Sequence, residues 1–124
     1  MKKIMLFGTL VLAFFLVPAN VVFANKAETS IKGPAEAAKG AEVTILITST
    51  HSANNAFHYT EWLKATANGK DLKRWDYTRE NRPEGAVFSK EIKIKVTEDT
   101  EIVAESSCNN HGSKGPATHK IMVK

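Results

Sequence analysis

The chain has 124 residues, with 17 lysines and arginines against 13 aspartates and glutamates, and a single cysteine. That is one domain's worth of sequence, and 43% apolar residues suffice for one modest core. The basic residues are interleaved with acidic ones and form no run with aromatics, which excludes a nucleic-acid footprint.

Lys2 and Lys3 precede an apolar run over 4–17, Pro18 breaks it, and Val22-Phe23-Ala24 sets small or tolerated residues before a cut. This is the layout of a secretory signal peptide over residues 1–24. At ~1.5 Å per residue the apolar run reaches about 21 Å, short of the roughly 30 Å hydrocarbon core. Cleavage is therefore expected rather than an anchor, with no stable membrane association afterwards, and no cysteine near the cut offers a lipid attachment point. Removing 24 of 124 residues leaves 100, carrying 15 basic residues against 13 acidic, or +2. The product is expected to be exported, either periplasmic or secreted. In an oxidising compartment a lone thiol calls for burial, a metal, or a bond between chains.

Residues 25–38 are rich in Ala, Lys and Glu around Gly33-Pro34 and show no period, so an extended lead-in is predicted before a domain over 39–124. From Glu42 onward, short β-branched and aromatic runs alternate with turn residues. Val43, Ile45 and Ile47 mark a first strand. In FHYTEWLKATANGKDLKRWDY two strand-like arms flank Asn68-Gly69, which supplies the positive φ angles of a tight hairpin. A loop with Asn81, Pro83 and Gly85 leads into VFSKEIKIKV, where Val87, Ile92, Ile94 and Val96 are read as one face and Lys93 and Lys95 as the other. Further strands are predicted over 101–106 and in ATHKIMVK, with His119, Ile121 and Val123 on a shared face. About seven short strands and no long amphipathic helix predict an all-β, immunoglobulin-like antiparallel β-sandwich.

The chemistry is concentrated in five residues: His51, His58, His111, His119 and Cys108. A thiolate together with neutral imidazoles suits Fe, Cu or Zn, and coordination would account for the unpaired sulfur. Cys108-x-x-His111-Gly112 follows a predicted strand end, where Gly112 permits a sharp turn. On spacing alone, a buried cysteine beside a surface histidine explains it equally well.

Two motifs narrow the choice. CNNHG at 108–112 resembles the CNxHG ending of the iron-binding domain of desulfoferrodoxins and neelaredoxins, the superoxide reductases. HSANNAFHYTEWL is similar to that family's HPNxxxHHIxWI segment: His51 opens it, an Asn follows, and His58 stands four residues before Trp62. The lead strand after Lys39-Gly40 is similar too, so the likeness spans 39–112. It implies an immunoglobulin-like sandwich with one non-haem iron per chain, held by four equatorial histidine nitrogens and one axial cysteine sulfur, with a sixth position open. His51, His58 and His111 would be equatorial and Cys108 axial. The implied activity is one-electron reduction of superoxide to hydrogen peroxide by Fe(2+)/Fe(3+), re-reduced by an external electron donor, with no catalytic residue beyond the ligands.

The sequence departs from the family in three places. The lead-in KAETSIKGPAEAAKG has no histidine where the family supplies its remaining ligand with a nearby lysine and glutamate. Ser52 replaces the family's proline, and the span from His51 to His58 is one residue longer than expected. No four-cysteine centre precedes the domain, which places the likeness with the one-iron class. His119 is the remaining imidazole and the candidate for the fourth nitrogen, although a half-buried histidine on a core-facing strand explains it as well. Lys26, Glu28 and Lys32 are candidates for the missing charged groups, or simply solvated. Trp62 and Trp75 read as apolar covers of the hairpin, with Trp62 also able to shield the site. Asn54, Asn55, Asn109 and Asn110 suit turns. Two other functions remain open: a non-catalytic iron-binding or electron-transfer module, and a cupredoxin-like copper site using Met122, which stands far past His111 for a ligand loop.

Overall fold

The computed structural model describes residues 26–124, and the signal peptide expected over 1–24 lies outside them. Among the described residues there are eight strands and no helix: β1 (Glu28–Lys32), β2 (Glu36–Ala37), β3 (Ala41–Thr50), β4 (Thr60–Ala67), β5 (Lys70–Asp76), β6 (Val87–Val96), β7 (Thr100–Cys108) and β8 (Ala117–Val123). They form a three-stranded sheet ordered β1-β3-β6 and a five-stranded sheet ordered β2-β8-β7-β4-β5. Alternation drives the packing of the two. Ile45 and Ile47 on β3 face Leu63 on β4, Ile102 on β7 and Ile121 on β8, and all five are fully buried. Each such side chain contributes about 1.5–3 kcal/mol by leaving water.

Asn68 and Gly69 have φ of 48° and 80°, so both central residues of the β4–β5 hairpin are left-handed, as the Asn-Gly pair predicts. The Asn68 side chain also reaches across the sheet. Its Nδ2 donates to Asp99 O at 3.1 Å, and its Oδ1 accepts from Glu101 N at 2.8 Å.

Two expectations are corrected. The lead-in is part of the sandwich, because β1 pairs antiparallel with β3 and β2 pairs parallel with β8. Its threonine, serine and alanine positions hid the alternation, and β2, at two residues, is too short to show any. The chain crosses from one sheet to the other at Gly33-Pro34, where a Cβ on Gly33 would sit 2.7 Å from Ile45 Cδ1, so a larger residue there would have to displace the end of the buried Ile45 side chain. On β6 the inward set is Phe88, Lys90, Ile92, Ile94 and Val96, while Val87 is 60% exposed. Lys90 takes an inward position because β6 is an edge strand, and its ammonium escapes sideways to Glu84 Oε1 at 2.9 Å.

Candidate metal centre

The chain leaves β7 at Cys108, whose side chain is buried, and the loop 108–112 closes on itself at once. Cys108 N donates to Gly112 O at 2.9 Å and Gly112 N to Cys108 O at 3.2 Å. Gly112 has φ of 81°, the left-handed geometry that this tight closure demands and that glycine adopts without strain. Inside the loop the backbone N–H groups of Asn110 and His111 both donate to Cys108 Sγ at 3.4 Å. A β-bulge between Thr60 and Trp62 sets Thr60 opposite Cys108 and turns the approach from β4 toward the sulfur.

His51 follows β3 directly, is 5% exposed, and is anchored by its N–H to Ala86 O at 2.9 Å. The segment that follows is bent by Asn55, whose Oδ1 accepts from the N–H groups of Phe57 and His58 at 2.9 and 3.0 Å. Four hydrogen bonds then join this segment to the cysteine loop. Asn109 N donates to Tyr59 O (3.0 Å), Tyr59 N to Asn109 Oδ1 (3.1 Å), Asn109 Nδ2 to Phe57 O (3.2 Å), and Asn110 Nδ2 to the same carbonyl (2.8 Å). Asn54 Nδ2 similarly reaches Pro83 O at 2.9 Å. A turn-forming role therefore describes Asn55 fully, but Asn54, Asn109 and Asn110 bind loops distant in sequence. Their one signal in the sequence was position, beside the imidazole and thiol residues of both motifs.

Together these elements bring three of the histidines to the cysteine. One ligand atom each from His51, His58 and Cys108 lies within 4.8 Å of the others. His111 Nδ1 completes the cluster at 3.2 Å from His58 Nε2 and 3.8 Å from Cys108 Sγ. Donors ~2.1–2.3 Å from one ion stand about 3 Å apart when adjacent and about 4.4 Å when opposite. The chemistry of the donors suits a borderline ion such as iron, and the spacing of His51, His58 and Cys108 allows one ion between them, with His111 adjoining through His58 and Cys108. The rings pack edge to face, with centroids 4.4 Å apart for His51 and His58 and 5.0 Å for His58 and His111. His51 and Cys108 lie inside, and His111 is exposed to water.

The other candidates lie elsewhere. His119 pairs with Ile102, six positions before Cys108 on β7, or about 20 Å at ~3.3 Å per residue. Its Nε2 bonds Pro34 O at 2.9 Å and pins the crossing of the lead-in. Alternation indicated the inward face of β8 correctly but said nothing of position along it. Met122 is 49% exposed and pairs with Glu36 on the outermost strand of its sheet, which removes the axial ligand of a copper site. Glu28 is exposed and forms an ion pair with Lys114 at 3.2 Å, while Lys26 and Lys32 are exposed. Trp75 packs on the core, whereas Trp62 is half-buried beneath Lys64 and Arg74, at 4.9 and 5.3 Å from its ring. The start of the lead-in runs beside the cysteine loop: Ala27 N donates to Gly112 O at 3.2 Å and Lys114 N to Ala27 O at 2.9 Å. Ala27 is fully buried and brings a methyl group to this side.

Known proteins share the family profile and the fold. The sequence profile of the family described as desulfoferrodoxin matches residues 23–113. No curated protein sequence matches the chain. Among solved structures, the superoxide reductase (neelaredoxin) from Ignicoccus hospitalis superposes with a TM-score of 0.68 at 20% identity, over 84% of this chain and 86% of that one. A protein provisionally assigned as a superoxide reductase from Thermotoga maritima gives 0.61 at 20% identity, over 78% and 86%. The sulfur carrier protein SoxY from Chlorobium limicola gives 0.56 at 14% identity, over 77% of each chain. These likenesses are of fold, and a neighbour named as a sulfur carrier shows that the sandwich alone does not specify a reaction.

Proposed function

The chain belongs to the desulfoferrodoxin family, and from that premise we propose that it holds one non-haem iron between His51, His58, His111 and Cys108 and reduces superoxide to hydrogen peroxide outside the cytoplasm. The observation that carries this reading is the convergence of the Cys108 sulfur with the His51 and His58 imidazoles, from two loops distant in sequence, within 4.8 Å of one another, with His111 adjoining His58 and Cys108. Bound there, ferrous iron supplies one electron per superoxide, and an external donor replaces it.

The chain's own groups contribute in distinct ways. The two N–H donors to Cys108 Sγ orient the sulfur and draw electron density from it, which tunes the potential of whatever it ligates. Asn109 and Asn110 hold His58 against His111 by fixing the loops that carry them. The exposed side of His111 leaves the site open to a small anion and to solvent, from which the two protons that peroxide requires can be drawn.

Iron analysis of the mature protein, followed by mixing the pre-reduced form with superoxide, tests the reading. A reductase forms one peroxide per superoxide consumed, whereas dismutation forms one per two. Cys108→Ala is expected to lose the ferric-thiolate absorption and to bind iron at least ~100-fold more weakly. Full iron and an unchanged spectrum in that variant would overturn the assignment. A second reading, an iron-binding or electron-transfer module without turnover, is favoured by the position of the fourth histidine, since His119 is held at Pro34 O away from the other three. Tight iron with no consumption of superoxide would select it.

A further inference from the structure

One layer inward from the candidate centre, the two sheets are joined by hydroxyl groups rather than hydrocarbon. Ser49 Oγ donates to Ser106 Oγ at 2.9 Å, and Thr29 Oγ1 shares a hydrogen bond of 2.8 Å with the same oxygen. Ser49 and Ser106 are fully buried and Thr29 is 9% exposed. Thr29 and Ser49 are paired neighbours on β1 and β3 in one sheet, and Ser106 comes from β7 in the other. Side chains two apart on a strand share a face. Ser49 therefore stands directly behind His51, and Ser106 directly behind Cys108. Continuing the β1–β3 register by one residue sets Ala27 opposite His51, so Ala27, His51 and Cys108 form the next layer out.

We propose that Thr29, Ser49 and Ser106 are positioning residues for the metal centre, a clamp that draws the two sheets together where His51 and Cys108 leave them. The inference rests on the metal-centre reading above. Among the described residues no strand ladder joins the two sheets. Backbone bonds from Ala27 to Gly112 and Lys114 tie them one layer further out, and at Thr29, Ser49 and Ser106 themselves side-chain contacts set the separation. Carbon atoms in contact stay about 3.5–4.0 Å apart, whereas bonded hydroxyl oxygens approach to about 2.7–2.8 Å and hold a direction as well. The hydroxyl layer thus narrows the sandwich by roughly 1 Å relative to an apolar one, at the point where an imidazole of one sheet must meet a thiol of the other. Buried hydroxyls are costly when unmatched, so this cluster is satisfied only at the separation that keeps it closed.

The test titrates cobalt(II) into the metal-free protein, reading the thiolate-to-cobalt absorption band and the affinity, with thermal unfolding of the metal-free form alongside. The triple variant Thr29→Val, Ser49→Ala, Ser106→Ala leaves no hydroxyl of the cluster unmatched and is expected to unfold within a few degrees of the wild type. Its cobalt affinity should fall about tenfold and its band should shift, the scale of loss seen when groups that orient metal ligands are removed. Thr29→Ser keeps the hydroxyl and should match the wild type in both. An unchanged band and affinity in a folded triple variant would overturn the clamp while leaving the metal centre intact. A wild type with no thiolate band would overturn both. Should the triple variant not fold, Ser49→Ala decides, since Thr29 and Ser106 still satisfy one another: a smaller loss of affinity supports the clamp and no change refutes it.

Discussion

Between the hairpin end of the sandwich and the loop end, the interior changes from hydrocarbon to hydroxyl, imidazole and thiol. Around Ile45, Leu63, Ala65, Val96, Ile102 and Ile121 the sheets meet mainly through apolar side chains, with His119 the inward polar group at their edge. Around Thr29, Ser49, His51, Thr60, Ser106 and Cys108 nearly every buried group is polar. The first region gains its stability from area removed from water, which is tolerant of direction. The second depends on hydrogen bonds of fixed geometry, and its donor atoms gain most when an ion holds them. One half therefore keeps the chain folded, and the other is arranged for a ligand.

Each half can be disturbed separately. Leu63→Ala in the apolar half should cost about 3 kcal/mol, and at ~4–8 °C per kcal/mol for a domain of this size its unfolding midpoint falls by more than about 10 °C. Iron bound per folded molecule should stay at the wild-type value; a parallel loss of iron would show that the halves are not independent. Removing metal acts on the other half. With free metal at about 100 times its Kd, binding adds about 2.7 kcal/mol, so a chelator should lower the midpoint by a similar amount to Leu63→Ala. Hydrogen exchange should then accelerate in the segments 51–59 and 106–113 more than in β4 or the middle of β7, and a uniform change would break the distinction.

Asn109→Ala sharpens it further. It takes the acceptor from Tyr59 N and one of two donors from Phe57 O, and is expected to cost about 1–2 kcal/mol with a drop of up to ~10-fold in iron affinity. A titration of the metal-free and iron-loaded variant in urea measures both. The smallest effect lies at the edge between the halves. The Glu84 carboxylate raises Lys90 above the ordinary 10.5, and burial raises Tyr77 above the ordinary 10.0. A raised lysine stabilises the fold fully below its unfolded value and loses that contribution as pH passes the folded one; Tyr77, held neutral by burial, acts in the same sense because the unfolded phenol ionises first. Stability should therefore decline only above about pH 10, and Glu84→Gln should make the decline shallower. A decline that already begins near neutral pH would refute the assignment to Lys90 and Tyr77.

How much of this was legible in advance varies along the chain. The hairpin at Asn68-Gly69 and the first strand at Val43, Ile45 and Ile47 stand where the sequence places them, because turn geometry and alternation are local properties. The face of β6 was misread through Val87, since its inward set includes Lys90, and a lysine does not advertise an inward position. The two motifs brought out His51, His58, Cys108 and His111, which the fold gathers, but offered nothing to place His119.

By itself, the sequence determined an all-β sandwich and the residues whose chemistry suits a metal, since alternation and motif spacing are written into neighbouring positions. Only the tertiary structure decided that the lead-in joins both sheets, that a bulge opposes Thr60 to Cys108, that His119 pins Pro34, and that Thr29 and Ser106 share a hydrogen bond across 77 positions of chain. Each of these depends on which strands become neighbours and in what register, and no local period carries that information, because it is fixed by packing between segments far apart in the chain.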